Sequence, residues 1–390
     1  MMNYSIPYGK QYITPEDTEA VVEALHSDFL TQGPKIAEFE INFAKYIGCK
    51  YAVAVSNGTA ALHLALLSFG IKKGDRIITT PITFAASANA ALYCEAEVYF
   101  ADIDKETYVI SIDSIKQLLQ KHPKGYFKAI IPVDFAGYPV NLEEVKAIAN
   151  EYGLFVLEDA CHSPGGYFTD SAGTTQNCGN CNFADAAVFS FHPVKHIASG
   201  EGGMVTTNNE ELYKKLLLFR THGITKENMQ FDFPEPEKQG LWYYEMQELG
   251  YNYRITDIQA ALANSQLKRA DDGIRKRHQI VEKYRKAFEN TSLKMQKHDV
   301  NYFNAHHLFI IEVEDRKGLY DHLKENGIYA QIHYVPVHLM PYYKQFGWKV
   351  GDFPYAEDYY KHCISLPMYP TLKDEEQDFV IKKVLDFCHE

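Results

Sequence analysis

No run of about eighteen apolar residues occurs in this 390-residue chain, so no segment is long enough to cross a bilayer as a helix. The Met1 to Gln11 stretch is polar and lacks the basic-then-apolar signature of a signal peptide, and a soluble, cytoplasmic protein is the expectation. Basic charge is also short: 39 Lys and Arg stand against 51 Asp and Glu, a net charge of −12. Nucleic acids and anionic membranes reward clustered cations, so neither is expected as a partner, and any anionic ligand must be met by local donors. Cysteine is sparse. Seven, an odd number scattered along the chain, fit reduced thiols better than a disulfide framework. Only Cys178-Gly179-Asn180-Cys181 is closely spaced, and zinc would need two further ligands. No second CxxC or HxxxH lies nearby, although Cys161 and His162 could approach in space, so a plain loop or a redox pair is the simpler reading and no metal centre is expected. Internal repeats and low-complexity tracts are absent too.

What is present is a large apolar inventory, 46% hydrophobic and 14% aromatic with 28 Tyr and 23 Phe, enough for a sizeable core. The length exceeds the usual single-domain range, and a large domain over residues 1–255 with a smaller α+β domain over 256–390 is expected. Thr14-Pro15-Glu16-Asp17 reads as a helix start with a capping-box pattern, followed by an apolar face of Val21, Val22 and Leu25. From Tyr51 onward, strand-like runs alternate with amphipathic stretches such as Leu142 to Tyr152. The runs are Ala52 to Val55, Arg76 to Thr79, Val98 to Ile103, Ala129 to Phe135, Leu154 to Asp159 and Ala184 to Phe191. That rhythm predicts an α/β fold with a mainly parallel sheet covered by helices, and ligands collect beyond the carboxyl ends of such strands. Lys226 to Gln247 reads as a polar loop, and Ile258 to Phe288 as one long helix bridging to the smaller domain.

Chemistry concentrates at those strand ends. Lys195 follows one apolar run in Ser190-Phe191-His192-Pro193-Val194-Lys195, and Asp159 ends another. An amine able to bond an aldehyde and a carboxylate able to hold a ring nitrogen protonated are what pyridoxal phosphate chemistry requires. Standing alone, a lysine at a loop end is an ordinary solvated charge. Ser56-Asn57-Gly58-Thr59 places a small turn before an apolar helix, where the backbone N–H groups at Gly58 and the Thr59 hydroxyl can meet an anion or simply cap the helix. Ser190 can supply a second hydroxyl to the same anion. Phe84 is placed to stack on a planar cofactor or to fill the core, and His162 either bonds a phenolic oxygen or lies on the surface.

Together and in this order these segments resemble the sugar aminotransferases of the DegT/DnrJ/EryC1/StrS family, fold type I pyridoxal phosphate enzymes. The likeness spans nearly the whole chain and includes Leu30-Thr31-Gln32-Gly33-Pro34, Glu158-Asp159-Ala160-Cys161-His162, Gly200-Glu201-Gly202-Gly203, Arg220-Thr221-His222-Gly223, Gly250-Tyr251-Asn252-Tyr253-Arg254 and His333-Tyr334-Val335-Pro336-Val337-His338. It implies Lys195 as tether and general base, Asp159 as partner of the ring nitrogen, and cofactor contacts from Gly58, Thr59, Phe84, His162 and Ser190. It further implies a homodimer with shared sites, in which Asn252, with Arg254 beside it, reaches the cofactor phosphate of the other subunit. Arg254, His333, Tyr334 and His338 are implied at the sugar nucleotide, although from chemistry alone Arg254 is equally an ion-pair former and each histidine equally a satisfied core residue. Within the family, the lysine segment and Gln331-Ile332-His333-Tyr334 look most like the pseudaminic acid branch. That branch implies a UDP-linked 4-keto-6-deoxy-N-acetylhexosamine aminated at carbon 4, with glutamate as donor. Transfer to another ketosugar stays open. A related dehydratase would carry histidine in place of Lys195, and a non-catalytic regulator on the same fold is the third reading.

Overall fold

The computed structural model describes residues 5–226, 231, 240 and 242–388. Its centre is a seven-stranded sheet. In spatial order the strands are Tyr51–Val55, Gly203–Thr207, Ala186–Ser190, Phe155–Asp159, Ala129–Ile130, Arg76–Thr79 and Glu97–Phe100. Only Gly203–Thr207 runs antiparallel to its neighbours. The strands inside the sheet are buried on both faces, hence their unbroken Val, Ile and Ala runs, whereas the edge strand Glu97–Phe100 alternates. Four of the expected strands are shorter than their apolar runs, Ala129 to Phe135 most of all. After Ile130 the pairing thins to single contacts, the Ile131 N–H donating to the Ile78 carbonyl and Val133 bridging to Asp159, because Pro132 has no N–H for a ladder, and Ala136 takes a positive φ of 61°.

The helix at Pro15–Leu25 starts where the capping pattern places it, with the Thr14 N–H donating to Asp17 Oδ2 at 2.9 Å. Both halves of the box are present, but the Val22 and Leu25 side chains are 44% and 52% exposed instead of packed. The long helix expected from Ile258 to Phe288 is two, Asp257–Leu267 and Ala270–Phe288, broken at Lys268 and Arg269. The break lets the Arg269 guanidinium bind the buried Asp17 carboxylate and the Tyr12 carbonyl.

A smaller three-stranded antiparallel sheet, Lys294–Met295, Phe309–Glu312 and Cys363–Leu366, packs with Ala270–Phe288, Arg316–Glu325 and Asp374–Cys388 around Tyr284, Phe288, Ile311 and Val384. Two stretches cross the expected division at 255/256. Ile6 pairs with Ile328 and joins the core of the smaller sheet, whereas Ala260 and Ala263 of the Asp257–Leu267 helix join the core around Phe39 and Phe43. Among the described residues no helix is long and apolar enough to cross a membrane.

Candidate active site

A cavity of about 1110 Å³ opens at the carboxyl ends of the parallel strands. Lys195, Asp159, His162 and Ser190 line it from the large sheet, and His333 and Tyr334 line it from the C-terminal part. Asn57 caps the Gly58–Ser68 helix, its Oδ1 accepting from the Ala60 N–H at 2.8 Å. The N–H groups of Gly58 and Thr59, which helix geometry leaves without carbonyl partners, therefore stay free to meet an anion at the cavity wall. Glycine is required at Gly203 and fits closely at Gly58. A Cβ at Gly203 would sit 2.4 Å from the Asn57 carbonyl oxygen, and one at Gly58 would lie 3.1 Å from the Ser190 Cβ. Only bare backbone lets the helix start, the Ser190 strand end and the antiparallel strand converge.

Asp159 is buried and its carboxylate is fixed by two donors, Ser87 Oγ at 2.6 Å and the Cys161 N–H at 3.2 Å. Ser87 is itself held by Thr83 Oγ1 at 2.8 Å. Phe84 is no core residue: it precedes the Ala85–Tyr93 helix, is 62% exposed and lies 6.1 Å from the Tyr334 ring across the cavity wall. Lys195 makes no side-chain hydrogen bond among the described residues, and burial holds its amine below the usual lysine range, with the Arg277 charge acting the same way against Cys161 and Asp159. His162 Nδ1 accepts from the Ala136 N–H at 3.3 Å, which leaves the proton on Nε2, 3.4 Å from the Tyr334 hydroxyl. Burial, reinforced by Lys195, keeps this imidazole neutral. His333 Nδ1 meets Ser365 Oγ at 2.9 Å, and burial together with Lys195 pushes its value down to about 3.

The remaining expected residues lie elsewhere. Tyr251 and Tyr253 line the cavity, while Asn252 and Arg254, alternating with them in extended chain, do not. His338 is a correction. It does not line the cavity; it is wholly buried in the Val337–Leu339 turn with Nε2 3.1 Å from Glu357 Oε1, a core histidine whose Nδ1 has no partner among the described residues. His338→Ala is therefore expected to cost about 1–3 kcal/mol of stability in urea melts and to leave KM unchanged. A raised KM with unaltered stability contradicts that placement. Ser87, Tyr8 and His307 also line the cavity and were not anticipated, since each sits in a segment without a chemical motif.

Behind Asp159, strand alternation turns Glu158 to the opposite face, where its carboxyl, that of Asp134 and the Cys178 thiol lie within 4.8 Å of one another. The Cys178 and Cys181 thiols are free and buried. Burial and the Asp134 charge push Glu158 well up, and burial pushes Asp134 up to about 6. Both folded values exceed the ordinary carboxyl range of about 4, so folding takes up protons. This contribution is complete below about pH 4 and is lost as pH rises through about 6. Urea melts across that window are expected to fall more steeply with pH for the unaltered protein than for Glu158→Gln; equal slopes contradict a shared proton.

Residues 11–385 match the DegT/DnrJ/EryC1/StrS aminotransferase family. The chain belongs to that family. It is 40% identical over 394 residues to the spore coat polysaccharide biosynthesis protein SpsC of Bacillus subtilis, covering 98% of this chain and 97% of SpsC. It is 35% identical over 386 residues, 96% of this chain and 95% of the relative, to UDP-4-amino-4,6-dideoxy-N-acetyl-beta-L-altrosamine transaminase of Campylobacter jejuni. Spr1654 of Streptococcus pneumoniae, solved in its PLP form, superposes with a TM-score of 0.89 over 99% of both chains at 26% identity. As a member of the DegT/DnrJ/EryC1/StrS family this protein is a sugar aminotransferase of the fold type I class, a pyridoxal phosphate-dependent transferase. The cavity suits that cofactor: an unpaired amine, a fixed carboxylate, an exposed aromatic face and an anion-binding turn all border one space.

Proposed function

We propose that the enzyme moves an amino group from glutamate to carbon 4 of a UDP-linked 4-keto-6-deoxy-N-acetylhexosamine, in the cytoplasm, as a step of pseudaminic acid synthesis. The observation that carries this reading is the Gln331 to Tyr334 segment, which resembles the pseudaminic acid branch in sequence and lines the same cavity as Lys195. At about 1110 Å³ the space exceeds the roughly 300–1,000 Å³ of ordinary small-molecule sites, as a cofactor plus a nucleotide sugar would need. A second reading, a different nucleotide ketosugar aminated at carbon 3 or carbon 4, is favoured by the higher identity to SpsC than to the altrosamine transaminase. Incubating the enzyme with glutamate and a panel of UDP-4-keto and 3-keto sugars, and following product mass, separates the two. Amination of the 4-keto-6-deoxy-N-acetylhexosamine above all others supports the first; preference for a different ketosugar overturns it.

When bound, pyridoxal phosphate supplies an electron sink for the charge released as the donor loses its alpha proton. The chain's own groups do the rest. Lys195 Nζ, free of hydrogen bonds among the described residues and depressed by burial, would carry the proton from the donor's alpha carbon to the cofactor's aldehyde carbon. Asp159, held by Ser87 and the Cys161 N–H, would pair with the ring nitrogen and keep it protonated. Gly58, Thr59 and Ser190 would receive the phosphate, Phe84 would cover the ring, and His162 with Tyr334 would donate toward its phenolic oxygen. His333 and Tyr334 meet the sugar.

Asn252 and Arg254, turned away from this protomer's cavity, act in that of a second copy. Exposed apolar side chains over the 12–30 stretch, Tyr12, Ile13, Val22, Leu25, Phe29 and Leu30, support such a homodimer, since patches of this kind mark association surfaces. Asn252→Ala is expected to loosen cofactor retention, and mixing it with Lys195→Ala to restore up to about a quarter of the activity through heterodimers holding one intact site. No rescue in confirmed heterodimers contradicts shared sites.

A further inference from the structure

A second cavity of about 320 Å³ borders the first, with Lys195 lining both. It lies among the N-terminal segment, the Lys195 loop and the first turns of Ala270–Phe288, and its lining is cationic: Lys10, Arg269, Lys276 and Arg277 face a single carboxylate, Asp272. That carboxylate pairs with Arg275 outside the cavity, and Arg269 pairs with Asp17. Lys276 approaches a carboxylate only at 3.9 Å, and Lys10 has none among the described residues.

Arg277 is the decisive group. It is buried, and no carboxylate pairs with it among the described residues. One nitrogen, Nη1, donates to three backbone carbonyls, those of His306, His307 and Met368, at 3.2, 3.2 and 3.3 Å. Nε and Nη2, the other edge of the guanidinium, make no hydrogen bond among the described residues. A buried cation without a counter-charge is costly, and the Nε–Nη2 edge is the planar fork that receives two oxygens of an oxyanion. Burial pulls Arg277 down to about 10, as expected where no anion offsets its charge.

We propose that this cavity binds a phosphoryl group, free or carried by a small metabolite, on the Nε–Nη2 edge of Arg277, with Lys10 and Lys276 at its mouth. A phosphoryl dianion suits the excess of cations better than a single carboxylate. Its volume sits at the lower end of small-molecule sites, enough for a sugar phosphate but not for a nucleotide sugar beside a cofactor. The site is separate from the anion-binding turn at Gly58 and Thr59, which lines only the larger cavity. An anion held there offsets the Arg277 charge at Lys195, so occupancy strengthens the hold of the Lys195 amine on its proton.

The test uses the cofactor-loaded enzyme, in which the Gly58 turn is already filled. Titration with inorganic phosphate in a calorimeter is expected to show one saturable site per protomer that weakens with added salt. The double variant Lys10→Gln, Lys276→Gln changes side chains at the mouth only and is expected to weaken binding by about tenfold or more; Arg277→Lys, which keeps the charge and loses the fork, is expected to do the same. UDP is expected to leave phosphate binding unchanged. A parallel titration with glucose 1-phosphate identifies the source: tighter binding than phosphate points to a phosphorylated metabolite, equal or weaker binding to phosphate itself. Absence of saturable binding, binding unaffected by the lysine pair, or displacement of phosphate by UDP overturns the proposal.

Discussion

Replacing Lys195 by alanine is expected to lower kcat by at least about 10⁴-fold while leaving the protein folded, because one amine serves as both tether and proton carrier. Folding is expected to survive for a reason visible in the site: the Lys195 side chain makes no hydrogen bond among the described residues and its burial is unfavourable to the charge it carries. Removing it therefore relieves a desolvation cost. Single-turnover assays and urea melts on the same preparation separate the two effects. A small alkylamine in the buffer is expected to restore part of the lost rate, which a merely structural lysine would not allow. A variant with an ordinary rate would refute the assignment.

The second large effect is expected at Asp159→Asn, a fall in kcat on the order of 10²–10³-fold with modest loss of stability. The amide oxygen can still accept from Ser87 or from the Cys161 N–H, so the local fold is kept. What is lost is the negative charge, buried beside the place where a ring nitrogen must stay protonated, and in that low-dielectric setting a neutral amide cannot replace it. Steady-state kinetics checks the rate, and dialysis followed by absorbance checks that the cofactor is still retained. Unchanged kcat with full cofactor occupancy would remove Asp159 from the chemistry.

The sheet was legible because strands buried on both faces show as continuous apolar runs, and the helix at Gly58–Ser68 because Asn57 and a glycine announce its start. The break at Lys268 and Arg269 was not, since apolar periodicity continues across it and the cause, the buried carboxylate of Asp17, lies far back in sequence. His338 misled for a related reason. His333 and His338 stand in one motif, but the turn at Val337–Leu339 directs the second ring to Glu357 and the core while the first faces the cavity. Ser87 was invisible because a serine inside an alanine-rich helix carries no signal of its own; only the folded sheet brings it within 2.6 Å of Asp159. The odd CxxC segment acquires a physical setting only in three dimensions, where the Gly179 N–H donates to Glu158 at 2.9 Å and Cys178 lies against the Asp134 and Glu158 pair.

The most direct test is to reduce the cofactor-loaded enzyme with borohydride, digest it and locate the modified residue by mass spectrometry. The pyridoxyl group is expected on the peptide containing His192-Pro193-Val194-Lys195, at Lys195 alone. Finding it on another lysine, or finding no modified peptide from a fully loaded sample, would contradict the account.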